Sequence, residues 1–197
     1  MSQKFEIEFK NMLEETEFNT LCLKFDRDES TFFKQTNDYF DTPTFALKNA
    51  HAALRIRHLS GEHDFTLKQP RNGIILETHQ QLSDQESSDL IHYGVMPEGA
   101  LEKAIDQMGI NVDQLIHVGE LITKRTEFPY KQGELFFDRS AYLGIQDFEL
   151  EYEAEEQEQG KQIFLSLLSE FHIPRRKSKS KMMRLYEHLD ERRKTDE

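Results

Sequence analysis

Along residues 3–10 apolar and charged positions alternate. Phe5, Ile7 and Phe9 fall on one face and Lys4, Glu6, Glu8 and Lys10 on the other, a period of two that predicts a strand. Residues 12–25 space their apolar side chains three and four apart and predict a helix. Residues 31–41, rich in Thr, Phe and Tyr and ended by Thr42-Pro43, predict a second strand running into a turn. Residues 52–58, 63–69 and 73–80 alternate again, linked at Ser60-Gly61 and at Pro70-Arg71-Asn72-Gly73, which predicts an antiparallel meander. Helices are expected at about 83–93, 98–108 and 111–116, the first opened by the capping-box pair Ser83 and Glu86. Strands return at about 119–130, 133–138 and 147–154, with turns at Lys131-Gln132-Gly133 and Leu143-Gly144. A helix over 157–171 is stopped by Pro174, and a basic run from Arg175 to Lys181 leads into a last helix ending near Leu189.

This pattern gives an α+β fold of about eight mostly antiparallel strands with helices packed outside. Eight strands can close into a barrel just wide enough for side chains or one small ligand. A chain of 197 residues reads as a single domain, here residues 1–189, followed by a polar tail at 190–197 expected to be disordered. The helices can cover the apolar strand faces. The charged faces would then line the interior of a barrel.

Composition sharpens this. Fifteen Phe and six Tyr supply a core without any Trp. A formal charge of -12 disfavours DNA and anionic lipid as partners and makes any inward cluster of Lys and Arg more telling. The lone Cys22, in Leu21-Cys22-Leu23, reads as a buried small hydrophobe. No leader-like or membrane-length apolar run is present, and the expectation is a soluble cytoplasmic protein, monomer or homodimer. The eight His lack zinc-site spacing.

On one soluble strand a charged face is usually just wet. Here the same bias recurs: Glu6, Glu8 and Lys10; Arg55 and Arg57; Thr66 and Lys68; Glu77 and His79; Arg125; Glu134 and Asp138; Glu149, Glu151 and Glu153. A mixed interior of acids and bases is costly unless the charges pair or bind a ligand. A multivalent phosphate with a divalent metal would answer both sets. Carboxylates suit Mg²⁺ or Mn²⁺, and Lys and Arg neutralise phosphate oxygens.

These residues also resemble a known family in order. Glu6-x-Glu8-x-Lys10 resembles the ExExK signature of the CYTH domain family, the triphosphate tunnel metalloenzymes. Tyr39-Phe40-Asp41-Thr42-Pro43, Leu54-Arg55-Ile56-Arg57, Phe65-Thr66-Leu67-Lys68, Lys124-Arg125-Thr126, Phe137-Asp138-Arg139-Ser140, the acidic strand from Asp147 to Glu153 and Ser180-Lys181-Met182-Met183-Arg184 resemble its later motifs. The resemblance implies an eight-stranded antiparallel tunnel and metal-dependent hydrolysis of a triphosphate: inorganic tripolyphosphate, thiamine triphosphate or a nucleoside triphosphate. It implies that Glu6, Glu8, Asp138, Glu149 and Glu151 face Mg²⁺ or Mn²⁺. Lys10, Arg55, Arg57, Lys68, Glu77, Arg125, Lys181 and Arg184 would contact substrate, with Glu6, Glu8, Lys10, Glu149 and Glu151 at the chemistry. A class IV adenylate cyclase and a non-catalytic polyphosphate- or nucleotide-binding module are the alternatives. The strand Leu76-Glu77-Thr78-His79 departs from the family pattern by placing His where a second acid is usual, and His79 reads as solvent-facing. The basic run at 175–181 reads as a solvated hinge.

Overall fold

The computed structural model describes residues 7–71 and 74–195. Glu6 and the Asn72-Gly73 end of the expected turn lie outside the described residues. Eight strands are present: β1 (Ile7–Leu13), β2 (Phe33–Asp41), β3 (Ala53–Leu59), β4 (Glu62–Arg71), β5 (Ile74–Leu82), β6 (Ile116–Tyr130), β7 (Gly133–Tyr142) and β8 (Ile145–Ala154). Six helices accompany them: α1 (Glu15–Lys24), α2 (Ala46–Asn49), α3 (Asp84–Tyr93), α4 (Ala100–Gln107), α5 (Gln157–Glu170) and α6 (Lys181–Thr195). The strands form one antiparallel sheet in the order β1-β8-β7-β6-β2-β3-β4-β5, the α+β class expected. The expected eight antiparallel strands are thus present, with β1 and β5 at the two ends of the order and no ladder joining them among the described residues.

Local boundaries also move. Asn11, Met12 and Leu13 belong to β1, opposite Leu150, Glu149 and Phe148 of β8, so the first helix starts only at Glu15 behind a Glu14–Glu17 capping box. The helix expected over 111–116 is a single 3₁₀ turn, Val112–Gln114, because Ile116 already opens β6. Helix α2 was not expected. It is nucleated by Asp41, whose Oδ1 accepts from the Thr42 and Leu47 amides and whose Oδ2 accepts from the Lys48 amide, satisfying the donors a helix start leaves orphaned. The Asp-Thr-Pro motif therefore has a structural task. Helix α6 continues to Thr195, past Leu189 where the apolar pattern ends.

The chain falls into two compact units, residues 35–121 and residues 7–34 with 122–195. In the first, Phe40, Leu54, Ile56, Phe65 and Leu67 of β2–β4 are buried together with Leu90 of α3 and Leu101 and Ile105 of α4. In the second, Leu135, Phe137, Leu150 and Tyr152 of β7 and β8 pack with Phe18 and Leu21 of α1 and Phe164 and Leu167 of α5. Rings stand in for the missing Trp: Phe25 lies within 6 Å of the Phe128, Tyr130, Phe137 and Phe171 centroids. Each such buried side chain contributes about 1.5–3 kcal/mol. Cys22 is partly buried against this core, and burial pushes its thiol up to about 11, the unreactive state. No described helix is long and apolar enough to cross a membrane.

Because side chains alternate across a strand, burying one face of each strand fixes the other. Covering Phe9, Phe137 and Leu150 in the second unit leaves Glu8, Lys10, Asp138, Glu149 and Glu151 on the opposite face. Covering Leu54, Ile56 and Phe65 in the first does the same for Arg55, Arg57, Thr66 and Lys68.

Candidate active site

In the second unit register turns sequence into geometry. Arg125 of β6 lies opposite Asp138 of β7, Asp138 opposite Glu149 of β8, and Glu149 opposite Met12 of β1. The next row runs from Phe136 through Glu151 to Lys10. Arg125 donates Nε and Nη2 to the two oxygens of Asp138, at 2.7 and 2.6 Å, and Nη2 also to Glu151 Oε2 at 2.5 Å. Its guanidinium stacks on the Phe136 ring at 4.6 Å. This planar fork, one face on a ring and one edge on carboxylates, is an arginine task that lysine cannot perform.

Lys10 Nζ lies 2.7 Å from Glu8 Oε1 and 3.0 Å from Glu151 Oε1. At the start of α6, Lys181 Nζ stands 2.7 Å from Asp138 Oδ2, 2.6 Å from Glu151 Oε1 and 3.7 Å from Glu149 Oε2. One turn later Arg184 reaches Glu149 Oε2 at 2.7 Å and Asp147 Oδ2 at 2.9 Å. Asp138 and Glu149 are fully buried and Glu151 nearly so.

The field of these cations decides protonation. Burial disfavours the Asp138 and Glu151 charges, but Lys181, with Arg125 and, at Glu151, Lys10, outweighs it and holds both carboxyls below the usual range. Burial likewise disfavours the Lys181 ammonium, and Asp138, Glu151 and Glu149 more than restore it. Glu8 is the exception. Burial, with the Glu151 charge beside it, pushes its carboxyl up to about 7 against the pull of Lys10.

The first unit carries a separate charged face. Across β2–β5 one row reads Tyr39, Arg55, Thr66, His79, and a neighbouring one Ala53, Lys68, Glu77. Lys68 pairs closely with Glu77. Burial works against the Glu77 charge, but Lys68 and Arg55 overcome it and lower its pKa. His79 is not simply solvent-facing: Nδ1 lies 3.1 Å from Asp64 and Nε2 3.2 Å from Glu77. Its ring thus links a carboxylate of β4 to one of β5.

Thus the structure gathers Glu8, Lys10, Arg125, Asp138, Glu149, Glu151, Lys181 and Arg184 in one unit, and Arg55, Arg57, Lys68 and Glu77 on one face of the other. Glu6 lies outside the described residues. As donors, the acids offer only carboxylate oxygen, which suits a hard divalent ion. In placement, though, the cations already engage them: among the described residues no group of three or more such side chains stands ready to hold a metal.

Two features escaped the sequence pattern. The segment after α5 is solvated, with Arg175, Lys177, Lys179 and Ser180 exposed, but it is clamped and not a free hinge. Asn11, fully buried on the core face of β1, accepts from the Arg176 amide at 2.7 Å and Arg175 Nη1 at 2.9 Å, and donates to the Met12 and Pro174 carbonyls. Arg176 also pairs with Glu14 and Glu17 at the start of α1. Ser178 of the same segment donates to Glu149 at 3.2 Å. A polar residue at an apolar position of the period was the one available signal. The second feature is a histidine chain on the core face of the first unit. His58 Nε2 meets Asp38 Oδ2 at 2.8 Å, His117 Nε2 meets Asp38 Oδ1 at 2.6 Å, His58 and His63 share an Nδ1–Nδ1 contact of 2.7 Å, and His63 Nε2 reaches Asp84 at 2.9 Å. Nothing in the spacing of these residues announces it.

Comparison with known proteins bears on the same surface. The family model of the CYTH domain matches residues 4–186. The chain is 45% identical over 187 residues to the Bacillus subtilis protein named "Putative triphosphatase YjbK", covering 95% of this chain and 97% of that one. The crystal structure of "a putative adenylate cyclase" from Bacillus halodurans is 38% identical, with a TM-score of 0.89 over 93% of this chain and 98% of that one. A Hippeastrum structure, described as a "putative adenylyl cyclase" that "reveals a dominant" triphosphatase activity, shares the fold at 20% identity, with a TM-score of 0.74 over 93% of this chain and 96% of that one.

Proposed function

The chain belongs to the CYTH domain family, and on that premise we propose that it is a cytoplasmic, metal-dependent triphosphatase acting on tripolyphosphate, thiamine triphosphate or a nucleoside triphosphate. The observation that carries this reading is the cluster of buried Asp138, Glu149 and Glu151 threaded by Lys10, Arg125, Lys181 and Arg184. Acids and bases in such balance can exchange partners with a metal–phosphate complex, which brings both signs of charge. Glu8, Glu149 and Glu151, with Glu6 and Asp138 in the same proposed set, would hold Mg²⁺ or Mn²⁺. When bound, the ion would neutralise phosphate oxygens and favour attack by water.

The protein's own groups do the rest. Lys10, Lys181 and Arg184 carry movable charge that can turn from carboxylate to phosphate. Arg125, fixed by Asp138 and Phe136, presents a rigid donor edge. Arg55, Arg57, Lys68 and Glu77 complete the proposed substrate-binding set. Phosphoryl transfer asks chiefly for positioning and charge stabilisation, which this inventory supplies.

The test is to incubate the protein with tripolyphosphate, thiamine triphosphate and ATP, each with Mg²⁺ or Mn²⁺, and to measure phosphate, pyrophosphate and cyclic AMP. Metal-dependent phosphate release that Glu8→Ala abolishes is the expected result. Pyrophosphate with cyclic AMP from ATP would establish the cyclase instead. Tight triphosphate binding without turnover would establish a binding module.

A further inference from the structure

The acids expected to take a metal are arranged around a cation that is already there. The Lys181 ammonium has Asp138 and Glu151 oxygens at 2.7 and 2.6 Å and Glu149 at 3.7 Å. Three carboxylates from two adjacent strands thus converge on one positive centre. The side chain is only 11% exposed. It projects from the first residue of α6, and the segment before that residue is tied to β1 through Asn11. A tethered ammonium of this kind has a high effective concentration at its pocket, because no translational freedom is lost when it binds.

Charge points the same way. The described acids Glu8, Asp138, Asp147, Glu149 and Glu151 are all engaged by Lys10, Arg125, Lys181 and Arg184. A divalent ion added to this set must displace a monovalent one and leave it without a partner, and a buried unpaired charge is costly. A polyphosphate removes the obstacle by offering the displaced ammonium a new partner.

We propose that Lys181 is the resident counter-ion of this carboxylate pocket, and that it withholds the pocket from divalent metal until a polyphosphate draws the lysine away. The inference rests on the metal-site part of the function proposed above. It makes substrate and metal mutually dependent ligands: each binds more tightly in the presence of the other, by the same factor. It also accounts for the finding that no described acid group stands open for a metal.

The experiment uses the substrate-free protein and Mn²⁺ alone, with binding followed by calorimetry and by the electron paramagnetic resonance signal of the free ion. If Lys181 fills the pocket nine-tenths of the time or more, its removal tightens Mn²⁺ binding about tenfold or more. Lys181→Gln, which keeps a neutral donor, and Lys181→Ala should both show that gain. Lys179→Ala, at an exposed residue paired with Glu187, should not. Should either Lys181 variant be too unstable to titrate, its melting temperature with and without MnCl₂ gives the same answer, with a larger metal-induced rise than in the wild type. Equal Mn²⁺ affinity in wild type and variants, weaker affinity in the variants, or no Mn²⁺ binding by any of them overturns the proposal. None of these readings requires turnover. Metal-dependent hydrolysis with unchanged Mn²⁺ affinity would sink the counter-ion role and leave the triphosphatase standing, while the converse result would do the opposite.

Discussion

Replacing Arg125 with Ala should cost the protein more than any exposed ion pair could. Arg125 makes three charge-assisted hydrogen bonds of 2.5–2.7 Å, to Asp138 and Glu151, which are 0% and 3% exposed as side chains. Removing one partner of a buried pair costs about 3–5 kcal/mol, because the other charge stays behind without compensation. Lys181 still faces Asp138, and both Lys181 and Lys10 still face Glu151, so the lower end, about 3 kcal/mol, is expected here. For a chain of this length that is a fall in melting temperature of roughly 6–12 °C. With no Trp to report unfolding, the assay is urea denaturation followed by far-UV circular dichroism, with the slope m compared between variants. Arg125→Lys should recover only part of the loss, since an ammonium cannot bridge both Asp138 oxygens and stack on Phe136. A loss below about 1 kcal/mol for Arg125→Ala, the range of solvent-exposed pairs, would refute the reasoning and show the cluster to be well hydrated.

Acid should weaken the first unit through Asp38: burial raises its pKa, but the His117 and His58 hydrogen bonds outweigh it and bring it down to about 2. A carboxylate with a depressed folded pKa contributes stability above its unfolded value of about 3.9 and loses it as pH falls toward 2. Asp38→Asn should therefore lower the melting temperature at neutral pH and flatten its fall between about pH 4 and 2; an unchanged acid limb would contradict the network. Gly160→Ala should destabilise by about 1–3 kcal/mol, since a Cβ there would overlap Ala154 and the Phe9 ring beneath α5; thermal melts decide it. Asn11→Ala should speed cleavage by trypsin at Arg175 to Lys179, because three hydrogen bonds that hold this segment to β1 disappear; identical digestion would show the segment to be held by other contacts.

The strands were legible because a half-buried strand must alternate, and the charged faces followed by parity. The pairing of Arg125 with Asp138 was not legible, since it depends on the register of the β6–β7 hairpin. Where the period misled, a polar residue carried a structural task. Asn11 breaks the alternation of β1 and so displaced the expected start of α1, and Asp41 builds a helix where only a turn was expected. The histidine chain joins residues 38, 58, 63, 84 and 117, which only the fold brings together. The isolated-strand reading of His79 missed both of its carboxylate partners, one of which lies on β4.

The clamp at Asn11 has a consequence for how the chain comes into being. β1 is synthesised well before its ladder partner β8, and its buried amide waits for residues 174–176. The Lys181 that completes the acid cluster comes later still. Contacts of such sequence separation form late. Until residues 174–181 are synthesised, Asn11 lacks its partners and Asp138, Glu149 and Glu151 lack Lys181. A nascent or truncated chain could hold most of its strands and still have no cluster. The interval between synthesis of β1 and docking of α6 leaves these groups exposed to misfolding.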